Sequence, residues 1–260
     1  MTQVTNRQTL LEKVGRKWKS DPIFSTGLVL ALMVILQTVA LGFDYESFGA
    51  WFTNWGKNWI NILRNNAGVG IVALGMTFVI ISGGIDLSVG STLVAVGAMV
   101  MMVVDGSATG LLAGMGITGV PAYAIGIVAG VIFGSLLGGI SGVLIARSKL
   151  PAFIATLGTM FVARGVAYMV NGNRNTNAIA SGIGQEMGDK FQNFFYYGDT
   201  LGLYNTFWIA MVLFAAFFFL LSKTRTGRHI YAIGSNTDAA KLSGVSVVST
   251  VTKAYMVSAF

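Results

Sequence analysis

The stretch from Ala122 to Ala146 reads AYAIGIVAGVIFGSLLGGISGVLIA and contains no charged residue. At a rise of 1.5 Å per residue, about 20 apolar residues cross the ~30 Å hydrocarbon layer of a membrane. The stretch therefore predicts a membrane-spanning helix. One residue type recurs along it at every fourth position: Gly126, Gly130, Gly134, Gly138 and Gly142. Such a ridge lets another helix approach closely, so we expect helix packing here, with a moving seam in a transport cycle as the alternative.

Five further stretches have the same apolar character: Ile23–Gly42, Ala67–Ser82, Val89–Val104, Pro151–Val170 and Thr206–Ser222. Charged residues make up only 10% of the chain, against roughly 25% in a soluble domain. There is too little charge to coat a water-soluble globule. The sequence predicts an all-α polytopic transmembrane bundle over residues 23–260, preceded by a basic tail over residues 1–22.

A last apolar segment opens near Tyr255 and stops at Phe260 after about one helical turn. A spanning helix needs about 20 residues. We therefore expect the chain to be part of a longer protein whose C-terminal helices are missing.

The Lys and Arg residues lie between the apolar stretches and favour one side of the membrane. With the N-terminus in the cytoplasm, twelve lie inside: Arg7, Lys13, Arg16, Lys17, Lys19, Arg147, Lys149, Lys223, Arg225, Arg228, Lys241 and Lys253. Four lie outside: Lys57, Arg64, Arg174 and Lys190. This bias predicts an external loop over residues 171–205, which carries Glu186, Asp189 and Asp199, and a cytoplasmic loop over residues 223–254.

The segment from Ser82 to Ser91 interrupts two short apolar runs. The adjacent Gly83 and Gly84 break a helix, and Asp86 or Ser88 can cap the next one. A carboxylate at membrane depth is tolerated only where protein or a water-filled cavity covers it. The segment is therefore either a tight cytoplasmic turn or a discontinuous helix that lines a pathway. Its residues either simply cap the helices or line the translocation pathway.

A single basic residue, Arg164, lies inside a predicted span. Its long side chain either extends outward to the interface or has a partner within the bundle. Asp86 is the one carboxylate in the apolar stretches, although its opposite depth argues against that pair.

The cytoplasmic loop contains the signals for one short helix of about two turns. Asn236 or Thr237 can cap its start, Asp238 falls in its first turn and Gly244 can end it. A helix this short is marginal alone, so other helices or a docked partner must hold it.

The chain lacks the residues that several classes of function require. The chain has no cysteine and a single histidine, His229, so we predict no metal site and no catalytic set. No G-x-x-x-x-G-K-[S/T] loop occurs, so any ATP must bind another chain, and we expect no cofactor on this one. Basic and aromatic residues are not interleaved as in a nucleic-acid surface. An ion-coupled secondary transporter would need paired intramembrane carboxylates, and a membrane-embedded enzyme would need clustered catalytic groups.

Three motifs in order resemble the ribose/xylose/galactose-type permeases of bacterial ABC importers. The first is ALGMTFVIISGGIDLSVGS, residues Ala73–Ser91, and the second is KLPAFIATLGTM, residues Lys149–Met160, followed by Arg164-Gly165. The third is YAIGSN, residues Tyr231–Asn236, followed by Asp238-Ala239-Ala240 and Gly244. The similarity extends over roughly residues 61–247.

This resemblance implies a multi-pass permease of the bacterial cytoplasmic membrane with about ten helices. Two permease subunits, either two copies or two paralogues, form the pore. It also implies a cytoplasmic ATPase, which binds the ATP, and an extracytoplasmic sugar-binding protein. In such importers a short cytoplasmic helix docks into the ATPase, and Asp238, Ala239, Ala240 and Gly244 keep its spacing, with Asp where the family has Glu. The resemblance further suggests that Gly83, Gly84, Asp86 and Ser88 belong to the translocation path.

The sequence also departs from this family in two respects. Family members continue for about sixty or more residues, and the external insert from Asn173 to Tyr204 looks longer than usual.

Overall fold

The computed structural model describes residues 18, 20–42, 45–104, 111–171 and 193–260. The helices are α1 Pro22–Ala40, α2 Phe48–Ile81, α3 Val89–Val104, α4 Val120–Ser148, α5 Ala152–Asn171, α6 Asn205–Lys223, α7 Arg225–Ser235, α8 Thr237–Leu242 and α9 Val247–Ala259. The shorter elements are a 3-10 turn at Ala113–Met115, a π-helical turn at Asn193–Tyr197, and an antiparallel pair, β1 Asp199–Thr200 and β2 Leu203–Tyr204.

The predicted all-α polytopic bundle is confirmed. In the part of the chain that the structure describes, five helices are long and apolar enough to cross a membrane, namely α1, α2, α4, α5 and α6, and α3 is a shorter apolar helix. The chain divides into two compact units, Met1–Ile62 and Leu63–Phe260.

The first unit contains α1 and the start of α2. Asp21 caps α1 by accepting a hydrogen bond of 3.0 Å from the Ile23 amide, and none of the α1 residues is buried. Trp55 Nε1 donates to Thr38 Oγ1 at 3.0 Å, and Trp51 Nε1 donates to the Gly42 carbonyl at 2.9 Å. These two bonds tie the end of α1 to the start of α2.

Two helices begin earlier than the sequence predicted. The apolar stretch Ala67–Ser82 is only the second half of α2, because polar residues such as Lys57 and Arg64 lower the hydropathy without breaking the helix. The segment expected to open near Tyr255 begins at Val247. Its cap is Ser246, whose side chain accepts a hydrogen bond from the Ser249 amide.

The glycine ridge of α4 packs against two helices of the second unit. A Cβ added at Gly126 would lie 2.6 Å from Val104 Cγ1 of α3, and one at Gly130 would lie 2.6 Å from Val100 Cγ2. Further along, a Cβ at Gly142 would lie 2.5 Å from Thr252 Cα of α9. Gly134 and Gly138 likewise contact backbone oxygens of α9, at Ala259 and Tyr255. The ridge therefore lies against α3 at one end and against α9 at the other.

Candidate functional site

The loop of residues 82–88, between α2 and α3, holds a buried carboxylate. Asp86 is 6% exposed and Ser88 is 3% exposed. Asp86 Oδ1 accepts hydrogen bonds from the Ser88 amide at 2.9 Å and from Ser88 Oγ at 2.6 Å. Gly83 has a φ of +80°, a backbone conformation that glycine adopts without strain. The loop thus ends α2 and turns the carboxylate toward the first turn of α3.

Residues of α5 and α9 hold this loop in place. The Leu87 amide donates to Thr156 Oγ1 at 3.2 Å, and the Tyr255 hydroxyl donates to the Ile85 carbonyl at 3.2 Å. A Cβ at Gly84 would lie 2.5 Å from that same hydroxyl, so glycine is needed there. The protein therefore covers Asp86 and Ser88, whereas Ile85 and Leu87 of the same loop are exposed.

A cavity of about 150 Å³ opens beside this loop, between α2, α3, α6 and α9. Its walls are mainly apolar, and its polar lining side chains are Asp86, Thr92 and Ser258. Of the four loop residues that the sequence singled out, Asp86 is the one that lines the cavity.

The short helix expected near Asp238 is α8, of six residues. Asn236 caps it, with Oδ1 accepting from the Ala239 amide at 2.9 Å. Gly244 ends the turn with a φ of +83°, and the Val245 amide donates to the Ala240 carbonyl at 3.0 Å. Ala240 is 5% exposed, whereas Leu242 is 90% exposed. One face of α8 therefore packs inward and the other presents a large apolar side chain.

The expectation of a single helix in this loop was wrong, because α7 precedes α8. Thr224 Oγ1 caps α7 by accepting from the Gly227 amide at 3.2 Å, and the buried Ile230 and Ile233 lie on one face. The backbone at Gly234 contacts the Ile81 carbonyl at the end of α2. These contacts place α7 against the start of the 82–88 loop.

A buried apolar cluster connects α8 with the residues around the loop. It consists of Val79, Ile233, Ala240, Val251 and Tyr255, contributed by α2, α7, α8 and α9. Tyr255 therefore has two roles, since its ring packs in this cluster and its hydroxyl binds the loop.

Arg164 has a partner within the bundle. Its Nε donates to Ser91 Oγ of α3 at 3.2 Å. The sequence had offered Asp86 as a doubtful partner, and the hydrogen bond instead goes to Ser91, in the first turn of α3.

The described part of the predicted external loop is small. Residues 193–205 form the π-helical turn and the strand pair. The Arg64 guanidinium carbon lies 4.3 Å from the Tyr204 ring centre and 4.9 Å from that of Tyr196. The predictions that concern the basic residues of the 1–17 tail, Lys19, and Arg174, Glu186, Asp189 and Lys190 fall outside the described residues.

Comparison with known proteins assigns the chain to a family. The family described as branched-chain amino acid transport system / permease component matches residues 58–260. The chain belongs to this permease family. The sequence motifs had indicated a permease, and this prediction is confirmed. No solved structure matches the chain.

The similar curated permeases include three from different bacteria. The ribose import permease protein of Haemophilus influenzae is 38% identical over 203 residues, which cover 78% of this chain and 57% of that protein. The inner membrane ABC transporter permease protein YjfF of Escherichia coli is 35% identical over 234 residues, 88% of this chain and 64% of that protein. The fructose import permease protein of Rhizobium meliloti is 32% identical over 251 residues, 96% and 64% respectively. The chain thus spans 57% to 64% of the length of these permeases.

The sequence analysis did not identify two residues of this permease that position the 82–88 loop. Thr156 and Tyr255 hold the 82–88 loop, although they lie 69 and 170 positions from their hydrogen-bond partners. The sequence did contain a signal for both residues, because a hydroxyl in an apolar helix requires a hydrogen-bond partner.

Proposed function

We propose that the chain is the membrane-spanning permease subunit of an ATP-driven importer that carries a monosaccharide across the bacterial cytoplasmic membrane. The observation that carries this proposal is its 32% to 38% identity to permeases named for ribose and fructose import, over most of the chain. The spanning helices agree with it.

The partners follow from this assignment. An ATPase subunit on the cytoplasmic side binds and hydrolyses ATP, because the chain carries no phosphate-binding loop. A sugar-binding protein delivers the substrate from outside, and a second permease copy or a paralogue completes the pore.

The orientation has the N-terminus in the cytoplasm. It is supported by the excess of Lys and Arg on that side, which includes Arg147 near the end of α4 and Lys223 at the end of α6. The same orientation puts α8 in the cytoplasm and the Arg64–Tyr204 contact outside.

In this mechanism α8 is the surface that meets the ATPase. The exposed Leu242 side chain supplies an apolar contact, and the inward Ala240 fastens α8 to the membrane helices. When ATP binding and hydrolysis move the ATPase subunits, α8 moves with its docking surface. Packed helices transmit such displacements because they shift between discrete arrangements.

The displacement reaches the proposed translocation path through the shared cluster. Tyr255 lies in the same buried cluster as Ala240 and binds Ile85 in the 82–88 loop. A movement of α8 therefore changes the position of the loop that carries Asp86. The glycine ridge of α4 lets the α9 backbone approach it closely, and α9 moves along this contact in the transport cycle.

Uptake by proteoliposomes tests the proposal. Vesicles hold the full-length permease, its ATPase and its binding protein, and they receive radiolabelled ribose, fructose or leucine. We expect uptake of ribose or fructose that requires ATP and survives collapse of the proton and sodium gradients. Uptake driven by an ion gradient without ATP would favour a secondary transporter, and uptake of leucine alone would reject the monosaccharide.

A further inference from the structure

An apolar groove of about 300 Å³ lies between α4 and α5. Leu137, Ile140 and Leu144 line it from α4, and Ile154 and Val162 line it from α5. Leu137 is buried, whereas Ile140, Ile154 and Val162 are exposed. The groove therefore has a buried floor and an open apolar rim, and in a membrane it is covered by lipid or by another apolar helix.

The floor of the groove has room for a hydrocarbon chain. A Cβ added at Gly158 would have no heavy atom of a neighbouring element within 4 Å, so there is open space over this residue. Thr159 is the polar side chain in the described lining. Its hydroxyl accepts from Ser141 Oγ at 2.7 Å and donates to the Ala155 carbonyl at 3.2 Å. Because this hydroxyl is already paired, the floor requires no polar occupant.

The α4 wall of the groove has the length of one membrane leaflet. Residues at intervals of three or four share one face of a helix, and this face of α4 carries Leu137, Ile140, Leu144 and Arg147. At 1.5 Å per residue, the helix rises about 15 Å from Leu137 to Arg147. This distance is half of the ~30 Å hydrocarbon layer. The groove thus extends from the middle of the membrane to the interface at Arg147.

Two basic residues lie at this interfacial end. Arg147 is one turn beyond Leu144, and Lys149 directly precedes Leu150, which also lines the groove. Both basic side chains are exposed, and neither has an acidic partner within the residues that the structure describes. Lys149 has a φ of +54°, in the left-handed region where glycine is usual at the end of a helix. A lysine at this position keeps a charge at the end of the groove despite the backbone strain.

We propose that the groove binds an anionic phospholipid, with one acyl chain between α4 and α5 and its phosphate against Arg147 and Lys149. Juxtamembrane Lys and Arg attract anionic lipids, so the two charges complement the headgroup. An apolar helix would also fill the groove, but it supplies no anion for these charges. The inference goes beyond the proposed function, and the proposed orientation adds that the lipid belongs to the cytoplasmic leaflet.

Native mass spectrometry of the full-length permease tests the headgroup contact. The protein in a neutral detergent receives phosphatidylglycerol or phosphatidylcholine with the same acyl chains. We expect the wild type to bind phosphatidylglycerol more tightly. Arg147→Gln and Lys149→Gln together should weaken this binding roughly fivefold for each charge removed and change phosphatidylcholine binding little. The matched control is Lys223→Gln with Arg225→Gln, a basic pair of the same spacing at the end of α6 that has no groove-lining neighbour. It should bind phosphatidylglycerol as the wild type does.

A second variant tests the acyl chain contact. Gly158→Leu fills the groove, and the open space over Gly158 accepts the new side chain. The matched control is Gly165→Leu, because a Cβ at Gly165 also has open space and this residue does not line the groove. We expect Gly158→Leu to weaken the binding of both lipids several-fold. Phosphatidylglycerol should raise the Tm of the wild type and of Gly165→Leu but not that of Gly158→Leu.

Three results would overturn the proposal. If the wild type binds both lipids equally or binds neither, the groove is covered by an apolar helix of the permease or of its second copy. If the Arg147→Gln and Lys149→Gln variant binds phosphatidylglycerol normally, the phosphate does not lie there. If Gly158→Leu binds both lipids normally, the groove does not hold the acyl chain. Sugar uptake enters none of these measurements, so the proposed function is tested separately.

Discussion

The Tyr255 hydroxyl in α9 donates a hydrogen bond to the Ile85 carbonyl, across 170 positions of sequence. The Tyr255 ring lies in the same buried cluster as Ala240 of α8. One side chain therefore connects the proposed ATPase-docking helix with the loop that carries the buried Asp86.

The close approach of α9 to α4 predicts opposite effects for two neighbouring glycines. Gly142→Ala puts a Cβ 2.5 Å from the Thr252 backbone, and such overpacking typically costs about 1–3 kcal/mol. Gly139→Ala meets only the flexible Met256 side chain, at 3.4 Å, and alanine favours a helix over glycine by up to about 1 kcal/mol. Thermal unfolding in detergent should show a lower Tm for the first variant and an equal or higher Tm for the second. Equal destabilisation by both would contradict the packing of α9 on the ridge.

The hydrogen bond from the Leu87 amide to Thr156 predicts a specific cost for removing that hydroxyl. Thr156→Val leaves the partly buried amide without its partner, which is expected to cost about 1–3 kcal/mol and to lower sugar uptake. The control is Thr77→Val, because both threonines also donate to the carbonyl four residues earlier and only Thr156 reaches the loop. Unfolding in detergent and vesicle uptake are the measurements. If Thr77→Val is equally costly, the effect belongs to the helix-internal bond and not to the loop.

The exposed apolar side chain on α8 predicts a binding defect without a folding defect. Leu242→Asp places a charge on the proposed docking surface, so the ATPase should no longer copurify with the permease and ATP-dependent uptake should stop. Leu201→Asp is the control, since Leu201 is 87% exposed and lies in the predicted external loop. Copurification with the cognate ATPase at wild-type yield in Leu242→Asp would reject α8 as the docking helix.

The sequence predicted the features that depend on local information. The apolar spans, the glycine ridge and the caps of α8 at Asn236 and Gly244 all follow from residues close together in the chain. The start of α2 was missed because polar residues between Phe48 and Arg64 reduce hydropathy while they remain helical. The helix α7 was missed because its sequence is polar apart from the face that carries Ile230 and Ile233.

The contacts around the proposed site required the structure. Periodicity does not reveal that Tyr255 meets Ile85, that Thr156 meets Leu87 or that Arg164 meets Ser91, because each pair joins different helices or a helix and a loop. The roles that the sequence suggested for Asp86 and for the Asp238–Gly244 segment stay predictions until they are measured in the assembled transporter.

The most direct test of the central claim measures sugar molecules imported per ATP hydrolysed by Tyr255→Phe in the complete transporter. This variant keeps the ring in its cluster and removes the bond to Ile85, at a cost in stability of about 1 kcal/mol. Tyr231→Phe, at a tyrosine that is 52% exposed, is the control. We predict that Tyr255→Phe assembles and hydrolyses ATP normally but imports several-fold less sugar per ATP. A wild-type ratio of sugar to ATP in Tyr255→Phe would contradict transmission through this hydrogen bond.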